Sequence, residues 1–212
     1  MDTSDRKIVI VDLDDTLHEF SHTVALVALN EFGHRIDAAP TEWHLGLHPI
    51  TDDSLASKIF QRCHDKDYIF LTKPYPGSVM ALTEISNMGY EVHYFTDRKN
   101  DAAVDTEDWL RLHGFPNPHY LMCCGDKREE MLRLKDHIVT VIDDRPRTQF
   151  FTRTELGCEH VFSMKHSHNQ SMSDIPGVHL LETWDDILES FIEHMTVKDD
   201  NDDNIRSAGT GI

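Results

Sequence analysis

The chain has 212 residues, 39% of them hydrophobic, which suits one packed core with a modest insertion. Twenty basic residues against 38 acidic ones leave a formal charge of −18. That balance argues against a broad footprint on a nucleic-acid backbone, where Lys and Arg must neutralise phosphates. A small anionic substrate held in one positive cleft remains compatible with it. The four cysteines, Cys63, Cys123, Cys124 and Cys158, form no CxxC pair and no zinc spacing. Free thiols and a reducing compartment are expected. The start, MDTSDRK, lacks the apolar segment of a signal peptide, and no apolar run approaches the length of a membrane span. A cytoplasmic protein is therefore expected.

Ile8 to Val11 is an unbroken apolar run that ends abruptly in acid, the pattern of a strand buried on both faces of a parallel sheet. Residues 21–33 have Val24, Val27, Ala28 and Phe32 at helical spacing, with Ser21 as a candidate N-cap and Gly33 as a stop. Residues 34–52 are irregular and His-rich, and 53–64 read as an amphipathic helix with Leu55, Ile59 and Phe60 on one face. Pro74-Tyr75-Pro76-Gly77 punctuates the chain. Beyond it a helix runs to Gly89, a strand covers 91–95, and a helix covers 101–113. Short strands at 119–122, 138–142 and 158–162 follow, with a helix over 128–136 between the first two. This alternation predicts a right-handed parallel sheet. Residues 18–73 form a helical insertion directly after the first strand, where it overhangs whatever that strand delivers. The DDNDDN run and the residues after it, 198–212, read as a disordered tail. They lack the Gly and terminal Glu of a calcium loop.

Polar residues gather just past the strand ends: Asp12, Asp14, Asp15 and Thr16; Thr96, Asp97 and Arg98; Lys127; Asp143 and Asp144. Ligands of open α/β sheets bind at that rim. Carboxylates this crowded repel one another, and a hard divalent cation such as Mg²⁺, which takes carboxylate and phosphate oxygens, makes them compatible. Each group has a plainer alternative. Thr96 could cap a turn, Lys127 could be a surface helix residue with Lys135 as its rival, and Asp143-Asp144 could be a turn. Lys127 is preferred to Lys135 because it follows a strand.

Asp12-Leu13-Asp14-Asp15-Thr16 resembles the DxDx[TV] signature of the haloacid dehalogenase (HAD) superfamily of phosphotransferases. Thr96, Lys127 and Asp143-Asp144 match its other three motifs in order. Over most of residues 7–192 the chain is similar to the 5'(3')-deoxyribonucleotidase family. Leu17 and Phe20, the size of the insertion, Pro74-x-Pro-Gly77, Asp126-Lys127 and the closing helix around Ile187–Ile192 carry that likeness. The resemblance implies a HAD-like Rossmannoid parallel-sheet core (1–17 and 74–197) with a small helical cap (18–73).

It also implies a Mg²⁺-dependent phosphomonoesterase acting through an aspartyl-phosphate. Asp12 would be the nucleophile, and Asp14 would protonate the leaving group and then activate water. Thr96, Lys127, Asp97, Arg98 and Phe20 would bind substrate. Asp12, Asp14 (through its main-chain carbonyl), Asp143 and Asp144 would hold the metal. Two positions depart from the family pattern: Asp15 replaces Gly or Asn, and Asp97-Arg98 replaces Ser-Pro. His18, Arg145 and Arg147 are further rim candidates, and Phe20 and Trp43 are candidates for contact with a base. His166-x-His168 has no third ligand at recognisable spacing, so exposed imidazoles are expected there. The expected substrate is a nucleoside monophosphate. A polynucleotide 3'-phosphatase is the enzymatic rival and an aspartate phosphoreceiver the non-enzymatic one. In a phosphoreceiver the acceptor would follow the third strand, and no insertion would follow the first.

Overall fold

β1 (Ile8–Val11) is the centre of the molecule, and its four residues are all buried. Successive strand side chains point to opposite faces. Val9 and Val11 enter one apolar cluster, while Ile8 and Ile10 enter another on the far side. The structure is a computed structural model and describes residues 6–36 and 53–207, as backbone only from 196 onward. Trp43 and most of the His-rich stretch lie outside the described residues.

Around β1 stand β2 (Glu91–Thr96), β3 (Leu121–Cys123), β4 (Ile138–Ile142), β5 (Val161–Met164) and β6 (Val178–Leu181). They form one parallel sheet in the order β3-β2-β1-β4-β5-β6. Chain order reverses between β1 and β4, which is where a doubly wound sheet opens its binding crevice. Asp12 leaves β1 and Asp143-Asp144 leave β4 on the two sides of that crevice.

Between β1 and β2 lie α1 (Phe20–Phe32), α2 (Asp53–Cys63), α3 (Lys66–Ile69) and α4 (Ser78–Asn87). Phe20, Val24, Val27, Ala28, Ile59, Cys63 and Tyr68 make a separate apolar cluster within α1–α3. α4 instead packs Ala81, Leu82 and Ile85 onto the sheet with Ile187 and Phe191 of α8 (Trp184–Ser207). The remaining helices are α5 (Ala103–His113), α6 (Lys127–Arg133) and α7 (Pro146–Phe151), the last running into a π-turn at Thr152–Leu156. Gly77, at φ +83°, turns the chain into α4, and an added Cβ there would lie 2.9 Å from Asp185 Oδ1. The turn therefore needs glycine both for its angle and for the close approach of α8.

Three expectations need correction, and two short elements carried none. Ser21 does not cap α1 from outside. It lies inside the first turn, and its N–H donates to the Asp15 carboxylate at 2.9 Å, so the capping acid comes from the β1 loop. The fifth strand starts at Val161 rather than at Cys158, because its ladder with β6 begins at the Val161–Val178 pair. β6 and α7, too short for a clear period, went unread. Through Ser207 the expected disordered tail is helical backbone continuing α8, since each added residue extends an existing helix without a new nucleus.

Candidate active site

The five-residue acid segment folds as a tight turn rather than as an extension of β1. Asp15 sits at φ +56°, a left-handed conformation that Asp tolerates better than most residues. This directs the Asp15 carboxylate at the start of α1, while the residue still lines the cavity over the crevice. Its carboxylate accepts from Ser21 N and from Ser21 Oγ at 2.5 Å, and its carbonyl takes a hydrogen bond from His166 Nε2 at 2.6 Å. Burial and the neighbouring Asp144 push the Asp15 carboxyl up to about 7, against the Ser21 hydrogen bonds.

Asp12 remains at the β1 end, 7% exposed. Lys127, the first residue of α6, is 2% exposed and spans the crevice. Its Nζ donates to Asp12 Oδ1 at 2.7 Å and to Asp143 Oδ2 at 2.5 Å. Burial works to strip the ammonium of its proton, but Asp12 and Asp143 outweigh it and raise the Lys127 pKa. Burial raises both of those carboxyls, and Lys127 pulls them back. Lys135 is elsewhere, its Nζ bonded to the Glu155 carbonyl.

Asp144 is fixed on several sides. Its N–H donates to Thr16 Oγ1, whose own hydroxyl hydrogen is donated to Asp144 Oδ1, both at 3.2 Å. His168 Nε2 lies 2.7 Å from Asp144 Oδ2, and Asn169 Nδ2 donates to the Asp144 carbonyl. Burial disfavours a charged His168, but Asp144 overrides it and raises the His168 pKa. The expectation of exposed imidazoles at His166 and His168 is thus overturned: His168 is buried and braces Asp144, and half-buried His166 braces the acid turn at Asp15. Their loop position hid this, because only the fold brings residues 166–169 beside residues 15 and 144.

Oxygen atoms of Asp12, Asp143 and Asp144 lie within 4.8 Å of one another. Three buried carboxylates facing one ammonium leave an excess of negative charge, and an all-oxygen donor set suits a hard cation such as Mg²⁺. The Asp14 carboxylate is not in this group.

Asp14 belongs to a second knot. Arg98 donates to it through Nε (3.2 Å to Oδ1) and Nη2, and His18 Nε2 lies 3.1 Å from Oδ1. His64 Nε2 stands 3.5 Å from Oδ2, an ion-pair distance without hydrogen-bond geometry. Burial would raise the Asp14 carboxyl, but Arg98, helped by His18 and His64, holds it well below the usual carboxylate range. Asp97 pairs with Arg145, whereas Arg147 is exposed.

A cavity of about 740 Å³ opens above these groups, within the range of small-ligand sites. Asp12, Asp14, Arg98 and Asp144 contribute to its floor, and Phe60 of α2 and His64 just past its end to the opposite wall. Phe20 both lines it and packs in the insertion cluster, stacked on His64 with ring centroids 5.1 Å apart. Thr96 and Lys127 lie beneath the floor rather than on it. The Thr96 hydroxyl accepts from Arg98 N at 3.3 Å. Sequence reasoning missed His64 and Asn169, and neither carries a local signal.

The fold has solved counterparts. A HAD-like hydrolase from Streptococcus pneumoniae is similar at a TM-score of 0.63 and 18% identity, covering 88% of this chain and 98% of that one. A predicted phosphoglycolate phosphatase from Haemophilus somnus 129PT gives 0.62 at 15% identity, with 88% and 98% covered. A HAD family hydrolase from Deinococcus radiodurans R1, solved with bound phosphate and sodium, gives 0.59 at 13%, with 90% and 96% covered. At these identities the likeness shows the fold. No curated protein matches the chain. No described helix is long and apolar enough to cross a membrane. The family model described as "5' nucleotidase, deoxy (Pyrimidine), cytosolic type C protein" matches residues 6–196. With the acids of β1 and β4 joined by a buried lysine at the switch point of a HAD-type sheet, the chain belongs to this nucleotidase family of HAD phosphomonoester hydrolases.

Proposed function

We propose that the protein is a Mg²⁺-dependent nucleoside monophosphate phosphatase of the 5'(3')-deoxyribonucleotidase kind, working through an aspartyl-phosphate on Asp12. The observation that carries the reading is the Lys127 bridge between Asp12 and Asp143 below a cavity of mononucleotide size. An Asp12 carboxylate oxygen attacks phosphorus as the bond to the leaving oxygen breaks, and Asp14 supplies the proton that oxygen needs. Asp14 then takes a proton from the water that attacks the aspartyl-phosphate, releasing inorganic phosphate and restoring Asp12. Asp12, Asp143, Asp144 and the Asp14 carbonyl would hold Mg²⁺, which would offset charge on the phosphoryl oxygens. Lys127 and the Thr96 hydroxyl support the phosphate from below, and Arg98 neutralises it from the side.

α1–α3, within residues 18–73, act as the cap. They exclude water over the acids and offer the Phe20, Phe60 and His64 rings to the nucleoside. Stacking of Phe20 on His64 and on Phe60 supports this, as does the presence of all three in the cavity wall. Four free cysteines are in keeping with a reducing, cytoplasmic setting. The test is kcat/KM for a deoxynucleoside monophosphate against a ten-nucleotide strand with the matching terminal phosphate. The monophosphate should be preferred, and strand hydrolysis should rise little as salt falls, since few phosphates are touched. A clear preference for the strand would refute the reading and promote end healing of nucleic acid.

A further inference from the structure

The sheet carries a second group of potential ligands, remote in sequence from every catalytic candidate. His160 precedes β5, His179 lies within β6 and His194 lies on α8. One ring nitrogen from each falls within 4.8 Å of the other two. His160 Nδ1 stands 3.0 Å from His179 Nε2, and the His194 ring centroid is 4.5 Å from each of the other two rings. We propose that His160, His179 and His194 form a site for a borderline transition-metal cation, Zn²⁺ in the first instance, which clamps α8 to the β5–β6 edge of the sheet. This goes beyond the phosphatase reading and shares no residue with it.

The chemistry of the donors decides the class of ion. Three imidazoles with no carboxylate suit Zn²⁺ or a neighbouring metal and give Mg²⁺ almost nothing. In a tetrahedral site with Zn–N of about 2.0–2.1 Å, ligand nitrogens lie about 3.3–3.4 Å apart. The His160–His179 pair is already near that spacing, and His194 closes by a side-chain adjustment. Water completes the shell, since all three residues are only half-buried.

The frame holding the three rings is rigid. Thr140 Oγ1 donates to the His160 carbonyl at 2.8 Å, and Val161 N donates to the Gly177 carbonyl at 2.8 Å. Gly177 approaches so closely that an added Cβ would stand 2.2 Å from the Glu159 carbonyl oxygen. That contact locks the start of β5 to the start of β6. Three residues before His194, Phe191 is fully buried and packs on Phe162, while His179 stacks on the Phe162 ring at 5.2 Å.

The protonation pattern fits as well. His194 Nδ1 lies 2.8 Å from the Ser190 carbonyl oxygen, which can only accept. Nδ1 therefore carries the proton and Nε2 presents a lone pair, the arrangement usual for a metal-ligating histidine. The proton shared between His160 Nδ1 and His179 Nε2 moves to an outer ring nitrogen when a cation arrives.

The test is zinc retention by the full chain after dialysis against a large excess of Mg²⁺, which blocks the carboxylate site. Wild type should keep one equivalent of Zn²⁺ and melt at a higher temperature with it than without. His194→Gln should lose that equivalent and the zinc-dependent shift while keeping phosphatase turnover, and Asp143→Asn should keep both the zinc and the shift. If His194→Gln folds poorly by circular dichroism, His160→Gln gives the same reading from the opposite side of the site. Wild type without bound zinc, or zinc retained equally by the histidine variants, overturns the proposal.

Discussion

Replacing Lys127 with Met keeps most of the length of the side chain but removes the ammonium that Asp12 and Asp143 both contact, leaving them only the weaker field of Arg145. Breaking a buried ion network by removing one partner costs about 3–5 kcal/mol. Lys127 belongs at the upper end, because it is 2% exposed and serves two carboxylates at 2.7 and 2.5 Å. For a chain of this size about 2–4 °C is lost per kcal/mol, so Tm should fall by about 10–20 °C. The sign of the pH dependence follows from the carboxyls. Burial already raises Asp12 and Asp143 above their unfolded values, and Lys127 is what pulls them down. Without it the folded state binds more protons than the unfolded chain over a wider range, so stability must fall as pH rises. Thermal melts in EDTA at pH 5 and pH 8 read this directly. The variant's deficit should be smaller at pH 5 than at pH 8, and added Mg²⁺ should recover part of the loss at pH 8. A deficit of equal size at both pH values, or one below about 1 kcal/mol, would refute the claim that the ammonium neutralises the acids.

Asp12→Asn should abolish turnover with little change in Tm, since the amide is nearly isosteric but a poor nucleophile. Activity within tenfold of wild type would remove Asp12 from that role. Asp14→Asn should spare nitrophenyl phosphate far more than a nucleotide, because a good leaving group needs little protonation. Equal losses on the two esters would contradict the acid assignment. The thiols of Cys123, Cys124 and Cys158 are pushed up to about 11 by burial, and Cys63 to about 12. A thiol reagent at pH 7.5 should therefore modify native protein much more slowly than denatured protein, as absorbance of the released chromophore would record.

What could be read from the sequence had a local cause. The β1 run stands out because both faces of that strand are buried, and its acids stand out because a strand end delivers them together. Lys127 and Asp143 were recognisable by their places just past strands. The fold brings them within hydrogen-bond distance although they are 16 residues apart. The unread parts depend on contacts over long separations. His168 reaches Asp144 across 24 residues, and Trp184 Nε1 donates to the Thr16 carbonyl across 168. The zinc proposal rests on the same kind of convergence. Positions 160, 179 and 194 fit no ligand motif, and only the pairing of β5 with β6 and the seat of α8 bring them together.

Asp97-Arg98 is the departure from the family pattern with most consequence. A proline at 98 would have no N–H, yet here Arg98 N donates to Thr96 Oγ1 and so fixes the hydroxyl at the end of β2. The two side chains add opposite charges to the rim, and each finds a partner: Asp97 takes Arg145, and Arg98 takes Asp14. The second pairing bears on the proposed chemistry. Arg98 holds Asp14 ionised, which suits the half-reaction in which Asp14 accepts a proton from water and opposes the half in which it donates one. A phosphate dianion in the cavity is the stronger partner for a guanidinium, and Arg98 lines that cavity. On the proposed mechanism, a phosphate that drew Arg98 toward itself would weaken its hold on Asp14 and let the carboxyl gain its proton. The residue that departs from the family would then couple arrival of the phosphate to arming of the acid.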